Sequence, residues 1–77
     1  MPTVHQINSI KIKLYFKDHL PPHFHAQYNE YEVLIEIRTL EIYNGDLPRK
    51  QLKAVLDWAS ENQDQLMETW EEFYEEN

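Results

Sequence analysis

The sequence contains no cysteine, one glycine and four prolines in 77 residues. Without cysteine there is no disulfide framework, no thiolate nucleophile and no cysteine-ligated zinc. The single glycine, Gly45, excludes a glycine-rich phosphate loop. The two serines, Ser9 and Ser60, stand in no nucleophile motif. No apolar run approaches the ~18 residues that span a bilayer. The opening Met1-Pro2-Thr3-Val4-His5 lacks the basic-then-apolar order of a signal peptide. A cytoplasmic location and no membrane partner are therefore expected. A chain of 77 residues holds one core, so one domain is expected over 1–77, with a sheet-forming half at 1–45 and a helical half at 46–77.

Positive charge is missing from one end. Residues 54–77 carry eight acids (Asp57, Glu61, Asp64, Glu68, Glu71, Glu72, Glu75 and Glu76) and neither Lys nor Arg, within a chain of net charge −7. A tail of that sign repels phosphates, which argues against nucleic acid as a partner of the chain alone. A solvated helix face explains it most simply. Docking onto a basic partner, or shielding a basic toxin surface, is the sharper reading.

The first half has period two. Ile10, Ile12, Leu14 and Phe16 alternate with Lys11, Lys13, Tyr15 and Lys17, which predicts a strand over 10–17. Pro21-Pro22 ends it. In 23–28, Phe24, Ala26 and Tyr28 take one face; His23, His25 and Gln27 take the other. Asn29-Glu30 suits a two-residue turn. Tyr31, Val33, Ile35 and Ile37 then alternate with Glu32, Leu34, Glu36 and Arg38. A short fourth strand is expected near Leu40–Tyr43, ended by Asn44-Gly45. The pattern is an antiparallel meander with one apolar and one wet face.

From Asp46 the period becomes 3.6. Asp46 is the expected helix cap and Pro48 suits the first turn. Leu52, Val55, Leu56, Ala59, Leu66, Met67, Trp70, Phe73 and Tyr74 share one arc of a helical wheel. A single arc favours one long or gently kinked helix. Such a helix of ~28 residues would run ~42 Å, about twice a strand. The alternative is a helix pair folding back near 60–63, where Asn62 followed by Gln65 resembles a cap. The stripe itself reads as core and dimer surface. The fold class is α+β: a three- or four-stranded antiparallel sheet with a long C-terminal helix or helix pair packed on one face.

Chemistry concentrates in Asp18-His19-Leu20-Pro21-Pro22-His23-Phe24-His25, which holds three of the four histidines. On a strand His23 and His25 project together, ~6.5–7 Å apart along the chain. Lys11, Lys13, Tyr15, Lys17, Glu32 and Glu36 are their expected neighbours. Three readings stand open. The imidazoles could hold zinc or nickel with His19, Asp18 or a Glu as third ligand. They could act as base and acid on RNA, with Lys supporting developing charge and Tyr15 stacking a base. They could equally be exposed rings on a sheet face. His5 is isolated and carries no assigned role. Arg49, Lys50 and Lys53 oppose the helix dipole, which a bound anion, an acidic partner, or pairing with Asp46 or Asp57 would explain.

Tyr15-Phe16, Asp18-His19, Pro21-Pro22-His23-Phe24-His25, Tyr28 and Tyr31-Glu32 resemble a small bacterial family, domain of unknown function 4160. So do Met1-Pro2-Thr3, Gly45-Asp46-Leu47-Pro48, Leu52, Val55, Leu56, Trp58, Leu66 and Trp70. The motif positions shared are Asp18, His19, Pro21, Pro22, His23 and His25. One departure is Arg38-Thr39-Leu40, where a Gly is expected in the hairpin turn; it leaves the register of the fourth strand open. The resemblance implies a stand-alone cytoplasmic protein from a two-gene cassette of toxin–antitoxin type. It brings no catalytic roles.

The expected function is an accessory or regulatory binding module of such a cassette, with a protein partner and no cofactor. Its binding surface comprises Lys11, Lys13, Tyr15, Asp18, His19, His23 and His25. A second copy of the chain is a further candidate partner. One alternative is a metal-independent ribonuclease-like toxin, with His23, His25, Lys13 and Lys17 as catalytic candidates. The other is a zinc or nickel protein using His19, His23 and His25.

Overall fold

The computed structural model describes residues 3–15 and 21–75. Five strands precede two helices: β1 (Thr3–Ile7), β2 (Ile10–Lys13), β3 (His23–Tyr28), β4 (Tyr31–Glu36), β5 (Ile42–Asp46), α1 (Arg49–Ser60) and α2 (Gln63–Glu75). The strands form one antiparallel meander in chain order, so β1 and β5 are its edges. The architecture is α+β as expected, with one more strand than the upper expectation.

Period two built the sheet. Ile10, Ile12, Phe24, Ala26, Val33 and Ile35 are all buried on one face, joined by Leu14 and Ile37 just beyond β2 and β4. Val55 and Ala59 of α1, and Leu66 and Trp70 of α2, close that core. Each helix contributes its pair at i,i+4 spacing, one apolar face per helix. Asn8 and Asn29 turn the first two tight hairpins at φ 51° and 52°, a region asparagine tolerates better than most residues. Tyr28 pairs with Tyr31, so Asn29-Glu30 is the two-residue turn its position suggested.

The structure departs from expectation in β1, in β5 and at the start of α1. β1 was not legible as a strand; it pairs with β2 through His5↔Ile12, Gln6↔Lys11 and Ile7↔Ile10. β5 begins at Ile42 and runs through Asn44-Gly45 instead of ending there. A register shift between Leu34 and Ile35 absorbs the extra residue. Asp46 is the last residue of β5, and Pro48 takes the N-cap position of α1 at ψ 149° with no side-chain cap bond. Leu52 N–H then donates to Pro48 O at 2.8 Å. The helical half is two helices, the helix pair that the sequence offers as the alternative to one long helix. The end of α1 tightens through Glu61 N to Trp58 O (3.1 Å) and Asn62 N to Ala59 O (3.0 Å). Asn62 Nδ2 also donates to Trp58 O at 2.8 Å. Gln63 Nε2 then ties α2 to the carbonyls of Ile37 and Arg38 at 2.8 and 3.1 Å. Folding back keeps both apolar stripes on one small sheet, which a straight helix would overrun.

Among the described residues no helix is long and apolar enough to cross a membrane.

Candidate functional site

Alternation along β3 puts His25 on the side of the sheet opposite Phe24 and Ala26, while His23, at the first position of the strand, also stands within 5.3 Å of the core residue Trp70. The register supplies their neighbours. Lys13 pairs with His25, which pairs with Leu34; Lys11 pairs with Gln27, which pairs with Glu32; His23 pairs with Glu36. The expected basic strand and acidic strand therefore flank the histidine strand. Lys17, Asp18 and His19 lie outside the described residues.

Two imidazoles on one strand meet different surroundings. His25 Nδ1 lies 2.9 Å from Glu32 Oε2, a diagonal contact across β3 and β4. An ionised carboxylate only accepts, so Nδ1 carries the proton and donates. Gln27 Nε2 reaches the same oxygen at 3.4 Å. The Tyr15 ring meets His25 edge-on, with centroids 4.5 Å apart and planes at 80°. The His25 side chain is 13% exposed and that of Glu32 41%. The result is an oriented imidazole, held by a carboxylate on one side and an aromatic ring on another, at the surface.

His23 is 2% exposed. Its Nδ1 donates to Pro21 O at 2.7 Å, because a carbonyl only accepts. In the neutral ring Nε2 then holds the lone pair, and that atom is buried. The rings of His25, Tyr43 and Trp70 each stand 5.3 Å from it. Tyr43 comes from β5 and Trp70 from α2, neither near His23 in sequence. A buried His23 is far from the exposed ring that strand alternation alone suggests. An RNA phosphate could reach it only by displacing what covers it.

Histidines whose Nδ1–H is fixed by a carboxylate or carbonyl are the kind that offer Nε2 to a metal or a proton. Among the described residues, however, no group of three His, Cys, Asp or Glu side chains converges on a metal position. His5 stands on β1 and stacks on Trp58 of α1, with centroids 4.7 Å apart and planes at 10°. The sequence assigns His5 no role because it stands isolated from the other three histidines. Of the basic cluster at the start of α1, Lys53 pairs with Asp57 at 2.8 Å in i,i+4 spacing. Both groups are well exposed, so the pair contributes about 0.3–0.5 kcal/mol.

No curated protein and no solved structure matches the chain. The model of one family, described as Domain of unknown function (DUF4160), matches residues 9–71. That span runs from the β1–β2 turn into α2 and includes the whole histidine motif, so the chain belongs to this family.

Proposed function

We propose that the protein is a small binding module, the accessory or regulatory member of a bacterial toxin–antitoxin-like cassette, working in the cytoplasm. Its partner is the protein encoded beside it. The contact surface is the sheet face of Lys11, Lys13, Tyr15, His25 and Glu32. The observation that carries this reading is the Tyr15–His25–Glu32 cluster, fixed by ring and hydrogen-bond contacts on the face away from the core. A surface aromatic and an oriented imidazole lose little freedom on binding, which favours them as contact centres. Half-buried Leu34 lies beside His25 and adds apolar area.

The charges of this face are ordered. Lys11 and Lys13 stand on β2; Glu32 and Glu36 stand on β4, two strand spacings or about 9–10 Å away. Such a face fixes the orientation of a partner with the opposite order. The burial of His23 weighs against an acid–base pair acting on RNA.

The test is co-expression with the neighbouring cassette protein, followed by size-exclusion chromatography in chelator. The expected result is a stable complex that Tyr15→Ala or His25→Ala weakens by at least tenfold, about 1.4 kcal/mol. No complex, together with growth arrest by this chain alone that needs His23 and His25, would support the toxin reading instead. A complex that falls apart in chelator would support the zinc or nickel reading.

A further inference from the structure

A slot of about 210 Å³ opens between β1 and the corner of the two helices. It shares no residue with the Glu32–His25–His23 cluster. The stacked rings of His5 and Trp58 form one wall; Leu66 and Thr69 of α2 line another; Asn62 and Gln65 complete the rim. The volume holds about seven waters at ~30 Å³ each. That suits one planar ring system and is small for a drug-sized ligand.

The lining prescribes chemistry. Two stacked rings and a buried leucine side chain offer flat, apolar contact. Asn62 Nδ2 gives one of its two hydrogens to Trp58 O, which leaves the other to donate and Oδ1 to accept. Thr69 Oγ1 donates to Gln65 O, which leaves that oxygen to accept. The Gln65 amide offers one acceptor and one donor group. The rim therefore offers acceptors and donors side by side. Among the described residues the lining holds no Lys, Arg, Asp or Glu. Exposed Glu61, Asp64 and Glu68 stand on neighbouring positions of the same segment and repel anions.

We infer that this slot binds a neutral, amino-substituted nitrogen heterocycle of nucleobase type, as a base or nucleoside and not as a nucleotide. The ring lies against the His5–Trp58 wall, and its exocyclic amine donates to Asn62 Oδ1 or Thr69 Oγ1. This inference stands apart from the protein-binding face.

The test is a titration of the isotopically labelled full chain with adenosine, cytidine and AMP, followed by two-dimensional NMR. The expected result is a saturable shift of the Trp58 indole N–H and the Gln65 side-chain amide, while the Trp70 indole holds still. The expected Kd for a nucleoside is on the order of 0.1–1 mM. AMP binds several-fold more weakly. His5→Ala and Gln65→Ala each weaken nucleoside binding several-fold. Gln65 is exposed, so its substitution leaves the fold intact and keeps the test readable if His5→Ala destabilises the sheet. Three results overturn the inference: no saturable shift with either nucleoside at ~5 mM, shifts that survive both substitutions, or AMP bound as tightly as adenosine.

Discussion

Glu32 Oε2 stands 2.9 Å from His25 Nδ1, seven residues away in sequence and diagonal across two strands. The contact fixes both the tautomer and the ring plane of the one partly exposed histidine in the β3 pair. Glu32→Gln keeps an amide oxygen to accept the same proton, whereas Glu32→Ala removes it. Because the carboxylate is 41% exposed, its loss costs under about 1 kcal/mol of stability. The expected pattern is near-native unfolding for both variants in denaturant, with partner binding weakened by Glu32→Ala and largely kept by Glu32→Gln. Equal losses of binding in both would show that the charge matters and the ring orientation does not.

Gly45 ties the edge strand to the same residue. It sits at φ 74°, and a Cβ there would collide with the Glu32 carbonyl oxygen and press on Val33 Cα at 3.3 Å. The backbone conformation alone costs an L-residue about 1–2 kcal/mol. Gly45→Ala is therefore expected to destabilise by at least about 2–4 kcal/mol, read as a lower denaturant midpoint. Its N–H is held by Asn44 Oδ1 at 2.8 Å, which blunts this sheet edge against pairing with other strands.

Leu40 occupies the turn where the family resemblance leads one to expect glycine, and it adopts φ 61°. Its N–H donates to Glu36 O at 2.8 Å, and its side chain packs partly buried against the core. The structure thus meets the demand for a left-handed residue with a leucine held in place by packing. Both Leu40→Ala and Leu40→Gly lose that packing, but only the glycine also relieves the backbone. Leu40→Gly is expected to be more stable than Leu40→Ala by about 1 kcal/mol, the reverse of the usual order. Thermal unfolding of the two variants checks it; alanine above glycine contradicts it.

Much of this was legible from local pattern. Alternation placed Phe24, Ala26, Val33 and Ile35 in the core and put Lys11, Lys13 and His25 on the other face, because a strand has only two sides. The helical arc selected Val55, Ala59, Leu66 and Trp70. It did not reveal the break at 61–62, because both helices face one core and the apolar phase runs through unchanged. β1 is not legible because Thr3–Ile7 is short and mixes His5 and Gln6 among its apolar residues. The site was half legible. Strand pairing puts Glu32 beside His25, but pairing register is a long-range property. The burial of His23 depends on Tyr43 and Trp70, which arrive from β5 and α2. The His5–Trp58 stack joins the first strand to α1, and no spacing rule spans that distance.

The central claim is that the Tyr15–His25–Glu32 face binds the protein encoded beside this one. The most direct measurement is sedimentation of the two purified proteins together, comparing the wild-type chain with Lys13→Glu and His25→Ala at equal fold stability. The account predicts a complex with the wild type, weaker association after Lys13→Glu that depends on salt, and a loss of at least about tenfold after His25→Ala. No complex with the wild type, or a complex indifferent to both substitutions, would contradict it.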